Sequence, residues 1–253
     1  NSVDNQSGTQ FSRRELVRDF PLAGFAVDNP VNSKLIVYQG VLLTDLLNAT
    51  FGNRWQHYEL IKFTSSDGYQ PLLPVDLVRR YRGLIAFKEA GRDGLSAITR
   101  NNGERINPRP YFLVWENIKD PTAKQQDWLS WPWQLAAITL TNYRHEFPHA
   151  APPLTADPQV RRGFTLAMQH CIKCHTVNGE GGKVGPELND PLNVTEVWQL
   201  DTLKKFILDP QTVKPGSQMI AFYRDVQNRE VLVDQIILYL AYMAGHKVTV
   251  TPP

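Results

Sequence analysis

The stretch Met168-Gln169-His170-Cys171-Ile172-Lys173-Cys174-His175 decides how the second half of this chain folds. Cys171 and Cys174 are the two cysteines of the chain, so the sequence holds no disulfide framework. A Cys-x-x-Cys pair followed at once by histidine is typical of covalent haem attachment. One short turn can carry both thiols to the two vinyl groups of a haem, and His175 then lies under the iron as an axial ligand.

Two other interpretations of the pair Cys171 and Cys174 have to be weighed. A redox dithiol of the thioredoxin type is expected within a βαβ unit, whereas the neighbouring residues have helical periodicity. A structural zinc site needs four ligands, and the chain offers no second cysteine pair. The haem interpretation is therefore favoured.

An electron-transfer haem commonly takes a sixth ligand, and methionine sulfur raises its redox potential. Of the three methionines, Met168 lies on the same predicted helix as Cys171, and Met243 falls on an apolar helix face, where methionine usually fills a core. Met219 ends the segment 214–219, whose proline and glycine indicate an irregular loop. We predict Met219 as the distal ligand, with bis-histidine ligation as the alternative.

The sequence predicts helices on both sides of the attachment motif. Asp157 before Pro158 is a helix start with proline in the first turn. A second helix is expected over 202–208, before Pro210. The last helix is expected over 228–244, and Gly245 ends it.

These motifs resemble, in order, those of a class I cytochrome c over residues 157–246. The matching pieces are Gly163, Cys171 to His175, Gly182 to Leu188, Pro215 to Met219, and Tyr239-Leu240. The resemblance implies one covalent haem c with His175 and Met219 on the iron. It also implies that the Pro186 carbonyl accepts the Nδ1 proton of the axial histidine, that the first and last helices cross at Gly163, and that the partners are redox proteins.

The first half of the chain has a different pattern. Short apolar runs of strand length alternate with turn signals, among them Asp67-Gly68. A capping box at Ser12 predicts a short helix, and Thr44 is expected to cap another. The fold class predicted for the whole chain is α+β, with a sheet-rich N-terminal part followed by an all-α part.

The first half also resembles, more weakly, the molybdopterin-binding domain of the sulfite oxidase family. The pieces are Gly40 to Leu47, Phe63 to Tyr69, Leu73 to Leu77, Leu84 to Phe87 and Arg109 to Val114. That family binds molybdenum through a cysteine thiolate, and residues 1–170 contain no cysteine. We therefore expect residues 1–146 to be a docking or structural module without that metal.

Three prolines between Glu146 and Leu154 predict a semi-rigid linker over 147–156, which leaves 157–253 as the haem domain.

The net charge of +2 gives no reason to expect nucleic acid as a partner. The longest uncharged apolar run, 236–245, is too short to span roughly 30 Å of hydrocarbon. A start at Asn1 without an apolar leader fits a secreted, periplasmic protein after signal removal.

The resulting functional hypothesis is a periplasmic carrier of single electrons, which needs no acid-base pair and is not expected to be a catalyst on its own. The alternative is an electron-accepting haem subunit of a dehydrogenase complex. A haem enzyme or gas sensor would need an open iron position, which ligation by Met219 would fill.

Overall fold

The computed structural model describes residues 8–100, 103–222 and 227–248. Its helices are α1 (Arg13–Asp19), α2 (Leu43–Phe51), α3 (Val75–Arg80), α4 (Tyr143–Glu146), α5 (Pro158–His170), α6 (Val194–Val197), α7 (Leu200–Leu208), α8 (Pro210–Val213) and α9 (Arg229–Ala244). Its strands are β1 (Leu22–Asp28), β2 (Leu35–Leu42), β3 (Leu60–Ser65), β4 (Leu72–Pro74), β5 (Gly83–Glu89), β6 (Ile98–Thr99), β7 (Arg105–Ile106), β8 (Phe112–Trp115), β9 (Leu135–Thr141), β10 (Thr176–Val177) and β11 (Glu180–Gly181). Short 3₁₀ helices cover Gly52–His57 and Pro121–Gln125.

The protein is of the mixed α+β class, as the sequence predicts, with strands concentrated in the first half and helices in the second. The chain forms two compact units. The first unit comprises 1–59 and 73–136, and the second comprises 60–72 and 137–253. The helical half therefore shares its unit with β3 and the turn that follows it. The division predicted from the sequence, at residues 146 and 157, would instead place β3 and this turn in the N-terminal part.

The first unit is built on an antiparallel sheet with strand order β1-β2-β5-β8. Its inward side chains form a core that includes Phe25, Tyr38 and Phe112, all buried. A Cβ atom at Gly40 would lie 2.0 Å from the carbonyl oxygen of Ile85, so the bulge between β2 and β5 requires glycine.

The second unit is organised by the crossing of α5 and α9. A Cβ atom on Gly163 would lie 2.2 Å from the carbonyl oxygen of Gln235 and 2.8 Å from Cβ of Tyr239. The two helices are thus in contact at a glycine, as expected, and a larger residue would force them apart.

Helix starts were predicted with mixed success. Ser12 and Asp157 are N-caps, and their side chains accept backbone N–H bonds from Glu15 and Gln159. The prediction for Thr44 is wrong, because α2 begins at Leu43 directly after β2, and Leu43 is fully buried. Burial of that leucine fixes the helix start without a side-chain cap.

The proline segment 147–156 is more tightly held than a spacer. Phe147 is 1% exposed and Ala150 is fully buried, and the Phe147 ring meets Phe164 of α5 edge to face at 5.5 Å. Leu154, by contrast, is 69% exposed. The first half of the segment is therefore anchored by Phe147 and Ala150, although Pro148 and His149 between them are exposed, whereas residues 153–155 are all open to solvent.

No helix among the described residues is long and apolar enough to cross a membrane.

Candidate haem site

The attachment loop continues directly from α5. The Cys171 N–H donates to the carbonyl oxygen of Ala167 at 2.7 Å, and the N–H groups of Cys174 and His175 both donate to Cys171 at 2.9 Å. Cys171 to His175 therefore form one tight turn, in which both cysteines are partly buried free thiols. Ile172, inside the turn, is fully buried and anchors it to the core.

The imidazole of His175 is held in one orientation. Its Nδ1 atom lies 2.8 Å from the carbonyl oxygen of Pro186. A carbonyl only accepts, so Nδ1 carries the proton, and Nε2 keeps a free lone pair. Burial lowers the pKa of His175 from its ordinary value, although the bond to Pro186 opposes that change. Burial thus favours the neutral ring, the form that ligates a metal.

Glycines let the returning chain close on this turn. A Cβ on Gly181, whose φ is +125°, would lie 2.3 Å from the carbonyl oxygen of His175. A Cβ on Gly182 would lie 2.2 Å from that of Lys173, and one on Gly185 would lie 2.3 Å from Cε1 of the His175 ring. The space beside the ring is thus a cradle that any side chain on Gly185 would fill.

The two alternatives to haem fit this geometry poorly. Burial raises the pKa of Cys171 to about 12 and also raises the pKa of Cys174. A reactive dithiol needs the opposite shift, because the thiolate is the nucleophile. Within the described residues, no cluster of three or more histidine, cysteine or acidic side chains could hold a metal ion such as zinc.

Met219 is itself half-buried and lies in an irregular, largely exposed segment after α8. Gln211 braces this segment, because its Nε2 donates to the Ser217 carbonyl at 2.5 Å and its Oε1 accepts from the Gly216 N–H at 2.9 Å. The Met219 N–H donates to the Ser217 hydroxyl at 3.2 Å.

The other two methionines are core residues. Met168 is 3% exposed on α5 and Met243 is 1% exposed on α9. This placement matches the interpretation of Met243 as core filler and leaves Met219 as the loop methionine.

The donor set fits a haem of the c type. Two free thiols stand on one turn, an imidazole with an available Nε2 follows, and a braced loop offers a thioether. Soft sulfur and neutral imidazole are the ligands that low-spin haem iron takes in electron carriers. Cys171, Cys174, His175, Pro186 and Met219 remain the predicted site residues.

Sequence reasoning missed a chain of fully buried asparagines behind the site. Asn178, Asn189 and Asn193 are joined by side-chain bonds of 2.7 and 2.6 Å. Asn193 also donates to the Leu240 carbonyl of α9 at 2.8 Å, and Asn178 donates to the His246 carbonyl at 2.9 Å. The chain thus ties the loop after the attachment turn to the last helix. Asparagine in a loop sequence gives no signal of such burial.

His170 also differs from expectation, since the sequence interpretation favoured a surface position. Its ring lies 4.6 Å from that of Phe222, centroid to centroid. Burial, reinforced by nearby Lys173, lowers the pKa of His170 to about 3. His170 is therefore neutral at pH 7, and its half-buried ring packs against Phe222.

Comparison with known proteins agrees with this geometry. Residues 160–244 match the profile of the family described as cytochrome c. A cytochrome c of Ulva intestinalis is 28% identical over 102 residues, which cover 33% of this chain and 88% of the relative. Cytochrome c 2.1 of Caenorhabditis elegans is 26% identical over 76 residues, 23% of this chain and 68% of the relative.

The C-terminal region therefore contains a haem-binding domain of the electron-transfer class. More specifically, residues 160–244 form a domain homologous to cytochrome c. The family implies a haem cofactor and redox partner proteins.

Proposed function

We propose that this protein carries single electrons through one haem c, bound covalently by Cys171 and Cys174 and ligated by His175 and Met219. The bound haem supplies one-electron chemistry between Fe(III) and Fe(II). The observation that carries the proposal is the bond of 2.8 Å between His175 Nδ1 and the Pro186 carbonyl, because it presents Nε2 of a neutral ring directly after the two thiols.

The protein's own residues have three tasks in this function. The turn of Cys171 to His175 holds both thiols and the ring on one rigid element. Pro186 fixes the tautomer of His175 and makes its Nε2 more basic. Gln211 braces the loop of Met219, which limits the cost of ordering the distal ligand.

The N-terminal part, residues 1–146, is proposed as a docking or structural module without molybdenum. Its strands support a sheet-rich fold. Periplasmic location belongs to the same proposal. Cell fractionation of the native host tests the location, and metal analysis of protein purified from it tests the absence of molybdenum and pterin.

The central test is haem retention under denaturing conditions. Protein expressed with a haem-attachment system is precipitated with acid and acetone, and covalent haem should stay on the chain at one per molecule. The double variant Cys171→Ala, Cys174→Ala is the matched control and should lose all haem. Complete release of haem from the wild type would refute the proposal.

A further inference from the structure

The turn that follows β3 lies on the haem-attachment loop. The Gln70 N–H donates to the carbonyl oxygen of Lys173 at 2.9 Å, and the Lys183 N–H donates to that of Gly68 at 2.9 Å. All four residues belong to the second unit. We name residues 65–70 the hairpin cap. The cap lies outside residues 160–244, the part of the chain that matches cytochrome c.

The hairpin cap has a defined shape of its own. The backbone N–H of Ser65 donates to the Tyr69 carbonyl at 2.9 Å, and the Ser65 carbonyl accepts from the Gly68 N–H at 3.1 Å. The Asp67 carboxylate accepts the Tyr69 N–H at 3.0 Å. Gly68 has a φ of +92°, and a Cβ there would lie 3.3 Å from the Lys183 carbonyl carbon. The cap is therefore preformed and approaches the loop through a glycine.

Burial around the attachment loop is uneven. Lys173, between the two cysteines, is 3% exposed, although lysine is almost never buried. Its carbonyl is the one that Gln70 contacts. Val184, beyond the cap contact at Lys183, is 55% exposed. The cysteine-bearing turn is thus the covered side of the site.

We propose that the hairpin cap sets the redox potential of the haem by keeping water from the cysteine-bearing side of the site. This inference rests on the proposed attachment of haem at Cys171 and Cys174. Water stabilises the more highly charged ferric state, so exclusion of water raises the potential, and solvent exposure is one of the factors that tune it. The Asp67 carboxylate, which accepts the Tyr69 N–H within the cap, acts in the opposite direction, since a nearby negative charge also stabilises ferric iron.

The first experiment opens the cap in the full-length holoprotein. Gly68→Val should break the contact with Lys183, and Gly91→Val is the matched control. Gly91 also has a positive φ, +74°, but a Cβ there meets nothing within 4 Å. We expect faster amide exchange at Gln70 and Lys183 and a lower midpoint potential for Gly68→Val, with neither change for Gly91→Val.

The second experiment removes charge without opening the cap. In Asp67→Asn the amide oxygen can still accept the Tyr69 N–H, and Asn-Gly remains a favoured turn. The midpoint potential should rise. Asp201→Asn, an exposed residue at the start of α7 with the same change in net charge, should leave the potential unchanged.

Two outcomes would overturn the role of the cap. One is faster amide exchange in Gly68→Val without a change of potential, which would make the cap a purely structural cover. The other is unchanged exchange, which would disprove the contact itself. If Gly68→Val does not fold, Gly68→Ala replaces it under the same two criteria, because its single methyl group would lie 3.3 Å from the Lys183 carbonyl carbon. Covalent haem in the wild type, measured on the same samples, separates failure of the cap from failure of the proposed function.

Discussion

A Cβ atom on Gly185 would lie 2.3 Å from Cε1 and 2.5 Å from Nδ1 of His175, so the backbone of Gly185 lies directly against the imidazole ring. The next residue, Pro186, accepts the Nδ1 proton through its carbonyl. Two consecutive residues therefore fix both the position of the ring and its tautomer. Pro186 fixes the tautomer through a hydrogen bond. Gly185 fixes the ring position sterically, because only glycine leaves room for the ring.

Gly185→Ala should disturb axial ligation more than overall folding. The added methyl group must displace the ring, which we expect to weaken the bond from Nε2 to iron and to give a high-spin fraction in the optical and EPR spectra. Overpacking of this kind costs about 1–3 kcal/mol in the free energy of unfolding.

Gly245→Ala is the matched control for Gly185→Ala. A Cβ atom there would lie 3.7 Å from the Tyr242 carbonyl oxygen, which is an ordinary contact. Its spectrum should equal that of the wild type. A wild-type spectrum for Gly185→Ala would show that the ring is free to move and would contradict its role.

Met219→Ala should open the iron to carbon monoxide or cyanide and lower the midpoint potential. The reason is that loss of the thioether removes a ligand that favours ferrous iron. Met243→Ala, in the buried face of α9, should instead cost about 2–5 kcal/mol of stability and keep the wild-type ligand field. Ligand-binding titrations followed by absorbance distinguish the two, and a change of ligand field in Met243→Ala alone would reverse the assignment.

The attachment turn and its helices could be predicted from the sequence because their signals are local. The cysteine spacing, the cap at Asp157 and the crossing at Gly163 each depend on a few neighbouring residues or on a pattern of fixed order. The helix bounds expected for the last helix, 228–244, differ from those of α9 by one residue.

The hairpin cap could not be predicted, because it binds through backbone atoms. Neither the Gln70 N–H nor the Lys173 carbonyl depends on side-chain identity, so the sequence carries no pattern for the contact. Ala150 is held by a side chain instead, because its N–H donates to the Glu180 carboxylate at 2.8 Å, and no local sequence pattern indicates that pairing. Long-range contacts of this kind, rather than composition, place residues 60–72 and 147–150 in the second unit.

Asn189→Leu should destabilise the second unit. The change removes the donor to Asn178 and the acceptor for Asn193, so buried polar atoms lose partners at about 1–3 kcal/mol each. Denaturant unfolding followed by haem absorbance measures the loss. The surface variant Asn53→Ala should change stability by no more than about 0.5 kcal/mol, and an equally small effect of Asn189→Leu would show that the asparagine chain is not a stabilising network.

His170 should make stability fall in mild acid. Its folded pKa of about 3, set by burial and by Lys173, lies below the unfolded value of about 6.5. Between these values the unfolded chain binds a proton that the folded chain does not, so stability declines as pH falls below about 6.5, with a slope of up to about 1.4 kcal/mol per pH unit.

The variant His170→Phe should flatten this pH dependence, because it keeps a ring against Phe222 and removes the titrating group. The exposed residue His57 provides the control, and His57→Gln should keep the wild-type slope. Denaturation midpoints between pH 4 and 7 give the comparison. Equal slopes in the wild type and His170→Phe would mean that His170 is not protected from protons.

Limited proteolysis should cut the proline segment near Leu154 and not near Ala150. Leu154 is 69% exposed, whereas Ala150 is fully buried and its carbonyl accepts the Tyr239 hydroxyl at 2.9 Å. The Glu180 carboxylate holds the same stretch through the N–H groups of His149 and Ala150. Protease needs an extended, accessible backbone, so cleavage should follow exposure.

Glu180→Ala should extend cleavage to residues 147–151, because the released N–H groups no longer anchor the chain. Glu230→Ala, an exposed glutamate at the start of α9, is the control and should keep the wild-type cleavage pattern. Mass spectrometry of the fragments locates each cut, and the haem spectrum reports whether the site survives. Cleavage of the wild type at Ala150 as fast as at Leu154 would show that the segment is a free linker, and that the contacts of Glu180 and Tyr239 do not hold it in solution.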